Sequence, residues 1–263
     1  MTNFSEKLQT RIKNGIDASF FNADTMLDHF AIISYAVPLE KLRPLVHKDF
    51  ELAEFEIDGK KQALISAVPF IDRDFHFPKM PFAKYKFGQT NYRAYVIDKN
   101  GEHCVWFFGT MLASLFYVIP RKLWKMPWHY GKFAGNFDFE GNIYKKYQIK
   151  VESEWAKTEI ELTSTAQKMQ ITEGFKDLDQ MKLILTHPIA GYYFKTNGKL
   201  GNYQIWHDEL DLNVGKASNL YFQVFEDLKL LSKEQMQVPH SVLLCSECRF
   251  SVQLPPKNIE NDL

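Results

Sequence analysis

Arg121 and Lys122 stand side by side after Pro120, inside the aromatic-rich stretch from Phe87 to Phe133. A lysine attacks a carbonyl only when neutral, and both burial and a neighbouring cation push its pKa down. Phe116, Tyr117, Leu123, Trp124 and Trp128 can supply the apolar wall, which makes Lys122 a candidate nucleophile. The same pair also fits the wet face of a short helix whose other face is aromatic, since most Lys and Arg are exposed.

Arg93 lies in the middle of a strand-like run, flanked by Tyr92 and Ala94. An inward-pointing arginine grips a carboxylate through two parallel N–H bonds, whereas an outward one makes an ordinary ion pair. Gln89 and Asn91 share its face by the two-residue period of a strand. Glu102 or His103 is expected to meet them across the hairpin.

Among eight histidines, His129 sits between Trp128 and Tyr130 and reads as the most buried, either a satisfied core residue or an acid–base group. His207, followed by Asp208 and Glu209, reads as an exposed turn. No HExxH or other close ligand trio is present. Cys245 and Cys248 have the spacing of zinc and redox sites. No second ligand pair accompanies them, and residues three apart on a strand face opposite ways, so no metal is expected. Phosphate loops and nucleophile elbows are absent, and no cofactor is expected.

These residues need elements to hold them. A helix is expected over 2–14, with the first 27 residues as an N-terminal extension. Strands are expected near 29–37, 50–57, 61–71, 89–98, 102–111, 133–139, 143–152 and 157–165. Further strands follow near 190–195, 202–213, 219–225 and 240–253, with turns such as Asp58-Gly59 and Glu140-Gly141-Asn142 between neighbours. Short helices fit after Pro38, over 177–187 and over 232–236, and residues 257–263 read as a frayed tail. Strands in such number with hairpin-length links imply one mainly β domain, an antiparallel barrel-like sheet with a few peripheral helices.

Lys plus Arg and Asp plus Glu number 32 each, so the chain has no net charge to draw it to nucleic acid or anionic membrane. The longest apolar runs fall well short of a membrane span, and the first residues lack the apolar core of a signal peptide. A cytoplasmic protein is expected. The 22 phenylalanines suit strands and apolar pockets, or a homo-oligomer interface where exposed.

The segments YAVPLEKLRPLV, DGKKQALISAVPF, TNYRAYV, GEHCVWFFGTMLAS and KMPWHYGKF, followed by YYFKTNGKLGNYQIWH and PHSVLL, carry a family resemblance. Over residues 28–255 the chain resembles the YqjF-like uncharacterised proteins of the acetoacetate-decarboxylase-like superfamily. That resemblance implies a barrel-like β fold around an internal cavity. Acetoacetate decarboxylases use a Pro-Lys-Lys run whose first lysine forms a Schiff base with the substrate ketone. Here the run is Pro120-Arg121-Lys122, and a guanidinium cannot form the imine. The decarboxylase glutamate falls on Gln89, and an arginine near the first strand falls near Asp28.

The resemblance therefore implies a small oxo-acid or other carbonyl ligand bound through Gln89, Arg93, Arg121 and His129, without Schiff-base chemistry. A one-residue slip that makes Lys122 the nucleophile of a lyase, and an oligomeric interaction protein, stand as alternatives.

Overall fold

The computed structural model describes residues 3–15 and 22–258. Helix α1 (Phe4–Asn14) precedes the long strand β1 (Ala23–Pro38), the one-turn helix α2 (Leu39–Leu42) and the short strands β2 (Glu51–Leu52) and β3 (Glu54–Ile57). Strands β4 (Lys60–Phe75), β5 (Tyr85–Ile97) and β6 (His103–Leu112) follow. Helix α3 (Val118–Lys122) leads to β7 (Trp128–Tyr130) and the meander β8 (Lys132–Glu140), β9 (Ile143–Glu152) and β10 (Lys157–Lys168). Next come helix α4 (Leu178–Leu185) and strands β11 (Ala190–Phe194), β12 (Leu200–His207) and β13 (Asn213–Phe222). Helices α5 (Gln223–Asp227) and α6 (Lys233–Met236), then strands β14 (Ser241–Val252) and β15 (Lys257–Asn258), complete the order.

The mainly β expectation holds, and the sheet closes on itself. Neighbours run β12, β11, β6, β5, β4, β1, β14, and β14 pairs back with β12 through Ile205↔Val252 and His207↔Phe250. From β14 the sheet continues through β13, β10 and β9 to β8, folding a second layer against the ring. The pairing is mixed, not wholly antiparallel. β11 and β7 both lie parallel to β6, because α4 and α3 return the chain to the same end before each of them.

Alternation along the ring strands sorts side chains between two cores. Tyr92, Ala94, Cys104 and Trp106 lie on the outer face, in a core that includes Phe50, Tyr147, Ile160 and Phe222. Tyr95, Val105 and Phe107 point the other way, with Leu27, Phe30, Val68 and Phe70.

Several boundaries differ from expectation. Strand β1 begins at Ala23, inside the expected N-terminal extension, and the expected strand over 202–213 ends at His207, with β13 starting at Asn213 instead of 219. Residues 223–225 begin helix α5 instead of ending a strand, so Val224 and Phe225 enter the outer core from a helical turn. Lys257 and Asn258 of the expected tail pair with β12, and residues 259–263 lie outside the described ones. Among the described residues, no helix is long and apolar enough to cross a membrane.

Candidate functional site

Neighbouring strands β4 and β5 build one wall. Their register sets Ser66 opposite Arg93, Val68 opposite Asn91 and Phe70 opposite Gln89, with Asp72 opposite Phe87 at the next step. Opposed residues share a face, so Gln89, Asn91 and Arg93 point with Val68, Phe70 and Asp72 into the ring. There they line a cavity of about 60 Å³, completed by Phe107, Trp128, Tyr203 and His207 among others. A β-bulge between β5 and β6 falls at Arg93, where Tyr92 faces Gly109 but Arg93 faces Phe107. Trp155 packs where a side chain on Gly109 would stand.

Arg93 is 5% exposed. Its Nη2 donates to the Leu185 carbonyl at 2.8 Å, capping the C-terminus of α4, and lies 3.5 Å from the Tyr95 hydroxyl. Among the described residues no carboxylate pairs with it, and its Nε has no hydrogen-bond partner. An unpaired buried cation is unfavourable by several kcal/mol. The cavity thus holds a positive charge without a matching negative one.

Asp72 reaches the cavity from β4, 3% exposed, with Oδ2 unpartnered. Burial pushes its carboxyl up to about 8, with a hydrogen bond from Thr25 opposing. His207 approaches from β12 with both ring nitrogens 2.6 Å from carbonyl oxygens, those of Asp208 and Thr186. Burial holds its pKa below the ordinary value, while the two carbonyls and the Arg93 charge pull in opposite directions. Gln89 Nε2 donates to Asn91 Oδ1 at 2.9 Å, and Thr110 donates to the same oxygen at 2.8 Å.

Arg121 and His129 lie elsewhere. They line an open groove of about 600 Å³ with Trp155, Glu152 and Lys157. Arg121 Nη1 donates to the Trp128 carbonyl at 2.8 Å and lies 3.4 Å from His129 Nδ1. The His129 ring stacks on Trp155 with centroids 4.0 Å apart. Burial and the Arg121 charge push His129 down to about 4, so it is neutral near pH 7. Lys122 is exposed at the end of α3 and lines neither space. The structure therefore brings Gln89 and Arg93 together, Arg121 and His129 together, and leaves Lys122 apart from both.

Several residues sit differently from their sequence-based expectation. Glu102 does not face Arg93: it pairs with Lys7 and Arg11 of α1, and His103 pairs with Ile97. The hairpin is long, so these residues lie at its far end. His207 is buried, not an exposed turn, because β12 closes the ring there. Cys245 and Cys248 share one core instead of facing opposite ways. Their partner β1 kinks at His29 (φ 53), which breaks the two-residue period, and Ser246 turns its N–H to Asn142. Among the described residues no group of three or more His, Cys, Asp or Glu is placed to hold a metal. Asp72 was legible only as a polar residue ending an apolar run; its inward direction follows from the parity it shares with Val68 and Phe70.

A closed ring with a folded-back meander is the architecture of the acetoacetate-decarboxylase-like proteins. Acetoacetate decarboxylase from Legionella pneumophila shares it with a TM-score of 0.60 and 11% identity, over 94% of this chain and 92% of that one. An acetoacetate decarboxylase-like enzyme from Sphingomonas wittichii RW1 gives 0.59 and 10%, over 92% and 94% respectively. The enduracididine biosynthesis enzyme MppR, complexed with the condensation product of pyruvate and imidazole 4-carboxaldehyde, gives 0.60 and 8%, over 95% and 94%. Likeness at these identities is one of fold. By sequence the chain belongs to DUF2071, a family of uncharacterized conserved proteins, whose signature matches residues 24–249. No curated protein matches the sequence.

Proposed function

We propose that this protein binds a short carboxylic acid, of the oxo-acid type, inside the closed ring, with Arg93 as the carboxylate clamp. The observation that carries the reading is the buried Arg93 guanidinium, which has an unpartnered Nε and no carboxylate partner among the described residues. A ligand carboxylate would supply the missing charge and accept from that nitrogen in the side-by-side geometry that guanidinium favours. Size supports a small guest. A water-sized atom claims roughly 10–15 Å³ of such space, so about 60 Å³ admits on the order of four to six non-hydrogen atoms. The pyruvate-derived ligand named for MppR, a protein of the same fold, is consistent with that class.

Schiff-base chemistry is not part of this reading, because no lysine is among the described residues that line the cavity and Lys122 is exposed. Thermal-shift titration with pyruvate, acetoacetate and acetate tests the clamp. Stabilisation of the wild type that disappears in Arg93→Met is expected. No stabilisation by any short acid, or an undiminished shift in the variant, would remove the proposal.

A second reading, self-association, is favoured by one surface. Met80, Phe82, Leu115, Ile119 and Leu123 are all exposed, and Tyr85 packs on Phe116 with ring centroids 4.3 Å apart to join their two segments. Light scattering coupled to gel filtration tests it, with Leu115→Glu and Leu123→Glu as disrupting variants. A monomer at every concentration counts against it.

A further inference from the structure

The ring wall has a gap, and α1 lies across it. Over 205–207 strand β12 pairs with β14, but on its other edge the pairing with β11 stops at Ala190↔Gln204. Among the described residues no strand covers that edge of 205–207. Residues 186–189, the link from α4 to β11, stand there instead, and the Ile189 N–H donates away from it to the His103 carbonyl at 3.1 Å. Between this link, the end of β12 and α1 lies a space of about 250 Å³, lined by Thr10, Arg11, Asn14, His187 and Trp206 among others. Ile205 and His207 line both this outer space and the closed cavity, so the two meet at these residues. The groove beside Arg121 shares no lining residue with the cavity.

Two closures span the gap. The inner one is a side-chain contact: His207 Nε2 lies 2.6 Å from the Thr186 carbonyl oxygen, and Thr186 itself lines the cavity. The outer one is α1. Trp206 Nε1 donates to the Ile12 carbonyl at 2.9 Å, and Arg11 donates to the His187 carbonyl. Lys7 and Arg11 each pair with Glu102 at 2.6 Å. Of α1 only Leu8 is buried. A helix held by one apolar anchor and part-exposed ion pairs opens at a small fraction of the cost of global unfolding.

We propose that this gap is the entrance to the closed cavity, with α1 as its lid and the His207–Thr186 contact as its inner latch. A swing of α1 uncovers the outer space, and parting of the latch then joins that space to the cavity. The ring itself stays paired, because among the described residues no backbone hydrogen bond crosses between 205–207 and 186–189. The route ends beside Arg93, whose Nη2 donates to the carbonyl of Leu185, the residue before Thr186. The entrance goes beyond the carboxylate clamp, since it would serve any guest small enough for a cavity of about 60 Å³.

Val68→Cys sets a thiol on the cavity wall, and methyl methanethiosulfonate adds only a sulfur and a methyl group to it. Intact-mass spectrometry of the full chain follows the label. Adding Glu102→Ala removes both ion pairs of α1 and should speed labelling roughly three- to tenfold, the effect of losing two part-exposed pairs. Adding Thr10→Trp instead fills the outer space and should slow it. Opening of the lid adds one label, whereas global unfolding also adds labels at Cys104, Cys245 and Cys248. Equal rates in all three proteins, or a label at position 68 that arrives only together with the other three, overturns the entrance. Pyruvate should protect position 68 in the chain with Arg93 and not in Arg93→Met. Labelling that depends on α1 but ignores pyruvate removes the clamp and leaves the entrance standing.

Discussion

Arg121 holds the backbone of Trp128, its Nη1 2.8 Å from the Trp128 carbonyl oxygen. Trp128 lines the inner cavity, whereas Arg121 lines the open groove beside His129. One hydrogen bond thus joins two spaces on opposite sides of β7. The cation that follows Pro120 supports a wall of the inner cavity from outside it.

Removal of that support should be measurable. Arg121→Ala leaves the Trp128 carbonyl without its charged donor and is expected to lower stability by about 1–2 kcal/mol, toward the low end for charged donors because the guanidinium is only half-buried. Urea denaturation reads the change. Arg121→Lys should recover part of it, since an ammonium reaches the same oxygen as a single donor. An unchanged midpoint in Arg121→Ala would show that the bond contributes nothing in solution.

Lys122 gives a prediction of the opposite kind. It is exposed and lines neither the cavity nor the groove, so nothing holds a carbonyl compound against its amine. Borohydride reduction in the presence of pyruvate or acetoacetate, followed by intact-mass spectrometry, should leave the protein unmodified. An adduct that disappears in Lys122→Ala would establish the lyase alternative instead.

Gly191 places a constraint on the cavity from behind. A Cβ there would stand 2.2 Å from a ring carbon of Phe107, whose ring stacks on Tyr203 with centroids 5.5 Å apart. Both rings line the cavity. Gly191→Ala must therefore push Phe107 inward or open the β11–β6 pairing, at about 1–3 kcal/mol of stability. Combined denaturation and ligand titration should show affinity falling along with stability. A fully stable variant with undiminished affinity would mean that Phe107 has room the packing does not show.

Much of this was legible in the sequence, and the reason is local. The alternation through Gln89, Asn91 and Arg93 fixed a shared face, and turns such as Glu140-Gly141 fixed the β8–β9 hairpin. What stayed hidden depended on partners far along the chain. Nothing near His207 indicates that β14 will close over it, so its buried position could not be read from a polar His-Asp-Glu run. The same holds for Arg121: Pro-Arg-Lys suggests chemistry by resemblance, but its groove side follows from where β7 docks on β6. Cys245 and Cys248 were misplaced because a single left-handed residue, His29 on the facing strand, resets the alternation.

Asp72 allows the sharpest test of a buried charge balance. Its carboxyl has a pKa of about 8 in the folded protein against the ordinary value of 3.8. Below about pH 4 it is protonated whether the chain is folded or not, and contributes no pH dependence. Between pH 4 and 8 the unfolded chain releases this proton and the folded one keeps it, so stability falls as pH rises, by up to about 1.4 kcal/mol per pH unit. Above pH 8 the contribution is constant. The buried histidines act in the other direction. His29, His103 and His129 are pushed down to about 4 by burial, so their neutral folded forms lose stability as pH drops below 6.5. The difference between wild type and Asp72→Asn isolates the carboxyl from that background. It should be smallest near pH 4 and grow in favour of the variant to several kcal/mol near pH 8, read from denaturant midpoints across the range. A difference that does not change with pH would mean that Asp72 is already ionised in the folded chain.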